Sequence, residues 1–333
     1  MTPKRRIIPV FVPHLGCPHD CVFCNQRRIS GAAQPATADT VREAVERAGQ
    51  ILPKDGEREL AFYGGSFTAI PEVDQEKLLG AAHRYILSGD IHRIRLSTRP
   101  DCIDEDVLAR LRRYGVTTVE LGVQSMCPDV LAMSNRGHTA EDARVSVRLI
   151  KNAGFELILQ MMTGLPGDTP ERSVYTAREL CKLKPDGVRI YPTVIIKDTE
   201  LYDMWIRGEY AEHTVDEAAE LCVKLLDIFD EAHIPVIRLG LNPTEELSSG
   251  GAAAGAYHPA FGEIVAGKRY LIRARELIRG SGLKTVTLGV ANGETSKAVG
   301  QRRCNITALT EEFGLSEIRV RETDVEKGEI IIL

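Results

Sequence analysis

The chain has 333 residues, 43% hydrophobic and 27% charged, an ordinary balance for a soluble globular protein. No apolar stretch approaches the about 20 residues that span a bilayer. The basic start Met1-Thr2-Pro3-Lys4-Arg5-Arg6 leads into too short and too β-branched a run for a signal peptide, so a cytoplasmic protein without membrane contact is expected. The net charge of −5 gives no hint of a polyanionic partner, and eight unevenly spaced cysteines fit a reducing compartment where thiols stay free.

Apolar runs rich in β-branched residues predict strands at Ile7–Val12, Glu59–Tyr63, Ile91–Ser97, Thr117–Val123, Phe155–Met162, Gly187–Tyr191 and Val236–Leu239. Between them the spacing predicts helices at Thr37–Leu52, Asp74–Leu87, Asp104–Tyr114, Ala140–Ala153, Pro170–Lys182 and Thr214–Ala232. Thr169-Pro170-Glu171 and Thr214 are helix starts, and Gly115 and Gly154 are helix stops. Strands alternating with helices of this length pair in parallel and form a wound or barrel sheet. The rhythm breaks near Leu241. A small-residue stretch, Leu247 to Ala256, reads as a flexible or closely packed loop. A helix around Glu263–Arg279, a strand Thr285–Leu288, a helix around Thr307–Phe313 and strands Ile318–Arg321 and Glu329–Ile332 follow. Two domains are therefore expected, an α/β barrel over 1–240 and a C-terminal α+β extension over 241–333 that is a candidate substrate-binding region.

In such barrels chemistry sits at the C-terminal strand ends. Directly after the first strand stands Gly16-Cys17-Pro18-His19-Asp20-Cys21-Val22-Phe23-Cys24-Asn25. Thiolates are the usual ligands of iron–sulfur clusters. Three of them leave one iron of a four-iron cluster open for a further ligand. A structural zinc loop would need a fourth ligand, usually in a second CxxC pair, and none is present. Gly64-Gly65 ends the second strand, where paired glycines let backbone approach a ligand. Ser97-Thr98-Arg99, Gln124-Ser125, Gly164 and Tyr191 end the next four. One or two such residues would be accident; six in a row point to one site. Tyr191 serves equally as a packing residue. Cys102, Cys127, Cys181 and Cys222 read as packing residues; a lone Cys304, in polar and basic surroundings, is expected to pack too, with a further ligand or a catalytic thiol as the alternative.

These segments resemble the radical S-adenosylmethionine (SAM) superfamily, whose signature is CxxxCxxC with an aromatic residue before the last cysteine. Five ordered motifs narrow the likeness: Ser97-Thr98-Arg99-Pro100-Asp101, Gly122-Val123-Gln124-Ser125, Asn135-Arg136-Gly137-His138-Thr139, Gly164-Leu165-Pro166-Gly167 and Tyr191-Pro192-Thr193. They resemble the radical SAM domain of the Elongator catalytic subunit family over about Ile7 to Trp205. Oxygen-independent coproporphyrinogen oxidases share a looser version.

The resemblance implies a partial (β/α)6 TIM-like barrel with a [4Fe-4S] cluster on Cys17, Cys21 and Cys24 and with SAM as cofactor. It places Phe23 near the adenine, Gly64 and Gly65 on the methionine amino group, and Gln124 at the ribose. It places Arg136 on the carboxylate, a role suited to a bidentate guanidinium, and Gln160 near the nucleoside. Ser66 stands where relatives have an acid, and Ser97 where many have a ribose-binding Glu, so their side-chain roles are weakened. The implied chemistry is one-electron cleavage of SAM to methionine and a 5′-deoxyadenosyl radical, fed by a reductant such as flavodoxin or ferredoxin. The relatives' acetyltransferase-like domain has no room after position 241, so carboxymethylation from acetyl-CoA is not expected.

Nine Lys or Arg against two acids between Ala266 and Arg303 make a candidate polyanion footprint. A solvated helix face explains them as well. RNA, tRNA above all, is the expected substrate. A small molecule such as a tetrapyrrole and a non-catalytic iron–sulfur scaffold are the rivals. The sequence leaves the atom attacked, the fate of SAM and the oligomeric state open.

Overall fold

A computed structural model describes residues 5–12, 17, 21–25, 34–53, 55–245 and 247–333. The start Met1 to Lys4, and Gly16, Pro18, His19 and Asp20 of the cysteine run, lie outside the described residues. Clustering of contacts divides the chain into two units, 1–213 with 228–257, and 214–227 with 258–333.

In the first unit the order is β1 (Arg5–Val12), α1 (Ala38–Ile51), β2 (Glu57–Gly64), α2 (Glu72–Ser88), β3 (Arg93–Thr98), α3 (Glu105–Arg113) and β4 (Val116–Gln124). Then come α4 (Pro128–Met133), α5 (Ala140–Asn152), β5 (Glu156–Thr163), α6 (Pro170–Leu183), β6 (Gly187–Pro192), β7 (Val194–Ile196) and α7 (Glu200–Ile206). Helix α8 (Val215–Glu231), which begins in the second unit, leads to β8 (Val236–Leu239) and β9 (Ala252–Gly255). Side-chain caps start several helices: Thr37, Asp104, Thr139 and Thr169 each accept from a backbone amide of the first turn.

Seven strands form one parallel sheet in the order β1-β2-β3-β4-β5-β6-β8. The order never reverses. Right-handed crossovers that always step the same way put every helix on one face and curl the sheet toward a barrel, with no switch point of the doubly wound kind. The seventh strand expected at Val236–Leu239 continues the six βα units, and among the described residues β1 and β8 are the sheet's unpaired edges.

Alternate residues of each strand face opposite ways. One set, including Ile8, Val10, Leu60, Phe62, Ile94, Leu96, Val119, Leu121, Leu157, Leu159 and Ile190, is buried. Val41, Leu78, Leu79, Leu108, Leu111, Val147, Ile150 and Leu180 of the helices are buried too, as a helix-covered sheet face requires. The alternate set holds Ala61 and Ile158 but is largely polar: Glu59 and Tyr63, Arg93 and Arg95, Thr118 and Glu120, Gln160, Arg189. These side chains bond to one another across the strands, which places them together inside the curl.

The loop expected at 247–256 carries β9, which pairs antiparallel with β7. Alanine and glycine permit this close approach: a Cβ on Gly255 would meet the Thr193 carbonyl oxygen at 2.9 Å. Small residues here serve packing, and β9 has no strand-forming composition of its own.

The second unit contains α9 (Phe261–Ile278), β10 (Thr285–Val290), α10 (Thr295–Val299), α11 (Cys304–Phe313), β11 (Glu317–Glu322) and β12 (Ile330–Ile332). Its sheet runs β11-β10-β12, parallel on one side of β10 and antiparallel on the other. Tyr270, Ala274, Ile278, Val286, Leu288, Leu309 and Ile330 form its core. Among the described residues no helix is long and apolar enough to cross a membrane.

Candidate active site

The cysteine loop turns sharply at its end, where the Cys24 amide donates to the Cys21 carbonyl oxygen at 3.0 Å. Two backbone bonds pin it: Val22 N–H to the Ser134 carbonyl oxygen at 3.2 Å and Leu201 N–H to the Val22 carbonyl oxygen at 2.7 Å. Val22 packs on Ile195 and Leu201, with Phe23, Tyr202 and Trp205 against them. Cys21 is buried, and Cys17 and Cys24 are half-buried.

Opposite the thiols lie the strand ends. Gly64 has a φ of +111°, and a Cβ there would sit 3.0 Å from the Val12 carbonyl oxygen, so this backbone approach is open to glycine alone. Ser66 is buried and bonds to Thr98 Oγ1 at 2.8 Å, and its Oγ accepts from the Arg99 amide at 3.2 Å. Gln124 ends β4 at a bulge in the pairing with β5 and holds a left-handed φ of 65°, which is strained for a residue with a side chain. Its Oε1 is buried without a partner.

The quoted motifs have structural reasons. Asn135 and Gly137 both take positive φ, and the turn between them presents Arg136. Arg136 donates to the Gly122 carbonyl oxygen at 2.7 Å and to Cys21 Sγ at 3.3 Å, and its Nε is buried with no partner among the described residues. Arg99 forks onto Asp101 at 2.9 and 3.1 Å and donates to the Arg136 carbonyl oxygen at 2.6 Å. The pair after β3 therefore holds the turn after α4. Gln160 donates to Glu120 Oε2 at 2.8 Å, and Ser97 reaches the same oxygen at 3.4 Å.

One cavity is lined by all eleven residues that the sequence placed at the cluster or SAM: Cys17, Cys21, Phe23, Cys24, Gly64, Gly65, Ser66, Ser97, Gln124, Arg136 and Gln160; Gly164, expected at the same site, does not line it. Thr98, Arg99 and Gly122 also line it; the sequence motifs contain them, but no ligand role had been assigned to them. Gly122 carried a signal, since it stands two residues before Gln124 on the inward-facing register. A Cβ there would come within 2.8 Å of an Arg136 Nη and 2.9 Å of Gln124 Nε2. Tyr191 does not line this cavity; Arg189 donates to its hydroxyl at 3.5 Å. Among the described residues no three His, Cys, Asp or Glu side chains are gathered as a ready metal site, so the thiols share the cavity as separate donors.

His138 follows the Arg136 turn, 3% exposed, with Nε2–H donating to the Val123 carbonyl oxygen at 3.1 Å. Burial, then the Arg136 and Arg99 guanidiniums, push it down from 6.5 to about 4. The unfolded chain therefore takes up a proton near pH 6.5 that the folded chain refuses until near 4, and stability falls as pH drops through that window. At about 1.4 kcal/mol per unit, about 3 kcal/mol is lost by pH 4. Urea midpoints at neutral pH and at pH 4 for the wild type and His138→Gln isolate this group. Equally steep losses in both proteins would sink the assignment.

Of the other cysteines, Cys127 and Cys222 are buried and Cys102 and Cys181 half-buried. Burial pushes all four thiols up. Cys304 is exposed at the start of α11, so it is not the packing residue expected. Five cations of the basic stretch are committed within the second unit: Lys268 to Asp216 and Glu220, Arg269 and Arg273 to Asp227, Arg275 to Glu312, and Lys297 to Glu294. Arg279, Lys284, Arg302 and Arg303 are exposed and enter no ion pair among the described residues.

Residues 11–180 match the profile of the radical SAM superfamily, and residues 185–271 match that of the radical SAM C-terminal domain. The chain is 31% identical over 205 residues to Elongator complex protein 3 of Mus musculus, covering 56% of this chain and 38% of that one. It is 39% identical over 129 residues to the tRNA uridine(34) acetyltransferase of Methanocaldococcus jannaschii, covering 38% and 24%. It thus spans well under half the length of these relatives. The solved archaeal Methanocaldococcus infernus Elp3, with an N-terminal deletion, superposes with a TM-score of 0.65 at 23% identity, over 82% of this chain and 64% of that one. Coproporphyrinogen III oxidase from Escherichia coli gives 0.50 at 17% identity, over 69% and 53%. These two likenesses speak for the fold.

Proposed function

This chain belongs to the radical SAM superfamily and is an enzyme of that type, and we propose that it acts on RNA, tRNA first, with a [4Fe-4S] cluster on Cys17, Cys21 and Cys24 and SAM beside it. The observation that carries the reading is the single cavity that the three thiols share with Gly64, Gln124 and Arg136.

The lining fits the proposed groups. Three sulfur donors come from one loop. Arg136 Nε and Arg99 Nη1 are buried donors without partners among the described residues, suited to a carboxylate, and Gln124 Oε1 is a buried acceptor without one, suited to a hydroxyl or ammonium. Gly64 offers bare backbone where a Cβ would collide. When bound, the cluster and SAM together supply one-electron cleavage of the sulfonium and the 5′-deoxyadenosyl radical. The chain's residues orient and shield. Arg136 holds the methionine carboxylate while steadying Cys21, Gln124 and Gln160 take the nucleoside, and Val22 and Phe23 keep water from the loop.

Gly122→Ala tests that arrangement. The intruding Cβ meets only the ends of flexible side chains, so the fold should tolerate it while Arg136 and Gln124 move. A 1 Å misplacement in a site can cost on the order of 100-fold. We expect SAM affinity of the cluster-loaded protein to fall at least about tenfold, with the unfolding midpoint near wild type. Unchanged SAM binding in equilibrium dialysis would count against the placement.

RNA is favoured by the likeness to tRNA-modifying relatives and by the four unpaired cations of the second unit. The test is anaerobic: reconstitute the cluster, add SAM and a strong reductant, and quantify 5′-deoxyadenosine with and without unmodified bulk tRNA. Production that rises with tRNA supports the reading, and tRNA affinity should then fall with salt at a logarithmic slope of about −3 for four contacts. Production indifferent to tRNA would turn the search to a small molecule such as a tetrapyrrole. No production would favour a scaffold.

A further inference from the structure

The two oxygens of Glu120 divide the inside of the barrel. Oε2 takes Gln160 and Ser97 of the candidate site. Oε1 takes Arg95 at 2.7 Å, Arg189 at 2.8 Å and Tyr63 at 3.4 Å. Those last three line a second cavity of about 550 Å³, within the range of small-molecule sites. It also touches Ile7 of β1 and Ile237 and Arg238 of β8, the two unpaired edges of the sheet, so it opens at the seam where the barrel fails to close. Ile7 and Ile237 are 37% and 44% exposed, which leaves apolar surface at the mouth.

One cation of this cavity has no carboxylate partner among the described residues. Arg5 pairs with Glu57 and Glu156, Arg93 with Glu59 and Glu156, Arg95 with Glu59 and Glu120, and Arg189 with Glu120. Four guanidiniums thus meet four carboxylates. Arg238 is a fifth, and among the described residues it donates only to the carbonyl oxygens of Gly240 at 3.0 Å and Leu241 at 2.9 Å. Burial and the nearby Arg189 push it below the ordinary arginine value, as expected of a cation that lacks a counter-ion. Arg95, 4% exposed, and Arg189 each keep a buried Nε without a partner. Asp186 stands exposed on the lining and is the one carboxylate there outside these pairs.

We propose that the seam cavity binds an oxyanion of the substrate, a phosphate or a carboxylate, and that Arg238 is the residue that fixes it. The inference rests on the reading that the substrate reaches the candidate site through this barrel. An anion here gives Arg238 the counter-ion it lacks, on the guanidinium hydrogens that the Gly240 and Leu241 carbonyls leave unused. A flipped nucleotide would offer its phosphate, and a small metabolite its carboxylate.

Calorimetric titration of the full chain with inorganic phosphate, acetate, uridine 5′-monophosphate and uridine tests this. We expect an anion to bind and uridine not to. Arg238→Gln should weaken binding at least about tenfold, with Arg238→Lys between it and wild type. Arg238 also ties down two carbonyls, so Asn242→Asp, exposed at the mouth, gives a second readout that does not strain the fold: its added carboxylate should weaken the anion several-fold. Tighter phosphate compounds would support the proposal with a phosphate ester, and tighter acetate would support it with a carboxylic acid. No binding up to about 10 mM, or binding unmoved by both Arg238→Gln and Asn242→Asp, would overturn it. Wild-type 5′-deoxyadenosine production tells the two readings apart. If it persists, only the anion site has failed; if it is absent, the radical reading fails whatever the titration shows.

Discussion

Replacing Glu120 with leucine is expected to destabilise the barrel by about 3–5 kcal/mol. The carboxylate is 0% exposed and accepts from Arg95, Arg189, Tyr63, Gln160 and Ser97. Arg95 would retain Glu59 at 2.9 Å. Arg189, itself largely buried, would keep only the Tyr63 and Tyr191 hydroxyls, neither of which offsets its charge. The cost is that of stranding a buried cation, and it exceeds the net worth of the intact pair. A double variant, Glu120→Leu with Arg189→Leu, removes both charges and should recover a large share, because the two residues act through each other. Urea unfolding at constant slope measures all three proteins. A loss below about 1 kcal/mol for Glu120→Leu would mean that water solvates the interior and that the network is a wet surface in disguise.

This network shows where sequence reading stops. The strands were legible because each carries an apolar set for the helix-covered face. The strand-end motifs were legible because glycines, Arg136 and the cysteines have few reasons to recur at those ends. The interior was not read, although Glu59, Arg93, Arg95, Glu120 and Arg189 stand at alternating positions within those same strands. A strand buried on both faces reads as nearly continuous apolar sequence. A charge at every second residue therefore signals a polar lumen, and it becomes visible only when each strand is read as two faces. Gly122, quoted within its motif, was given no role for the same reason. The basic stretch failed differently. Its counter-ions Asp216, Glu220, Asp227 and Glu312 lie outside the window counted, so a local tally overstated the free charge. Strand β9 has no local signal at all; its partner β7 lies more than fifty residues earlier.

Cys21→Ala and Arg136→Ala should fail in different ways, although the two side chains touch at 3.3 Å. Cys21→Ala removes one of three sulfur donors. Reconstituted protein is expected to hold less than about a tenth of the wild-type iron and to produce no 5′-deoxyadenosine, since thiolates alone hold such clusters. Arg136→Ala leaves the three sulfurs in place and removes the donor proposed for the methionine carboxylate. Iron content should stay near wild type while SAM affinity falls by about 3 kcal/mol, on the order of 100-fold. Arg136 also holds the Gly122 carbonyl oxygen at 2.7 Å, so part of that loss is local rearrangement. Arg136→Lys keeps the charge without the fork and separates the contributions. If lysine restores most of the affinity, charge near the cluster loop is what matters. If it restores little, the two-pronged contact is. Iron lost equally from Cys21→Ala and Arg136→Ala would mean that Arg136 builds the cluster loop, through its bond to Cys21, and does not select the ligand.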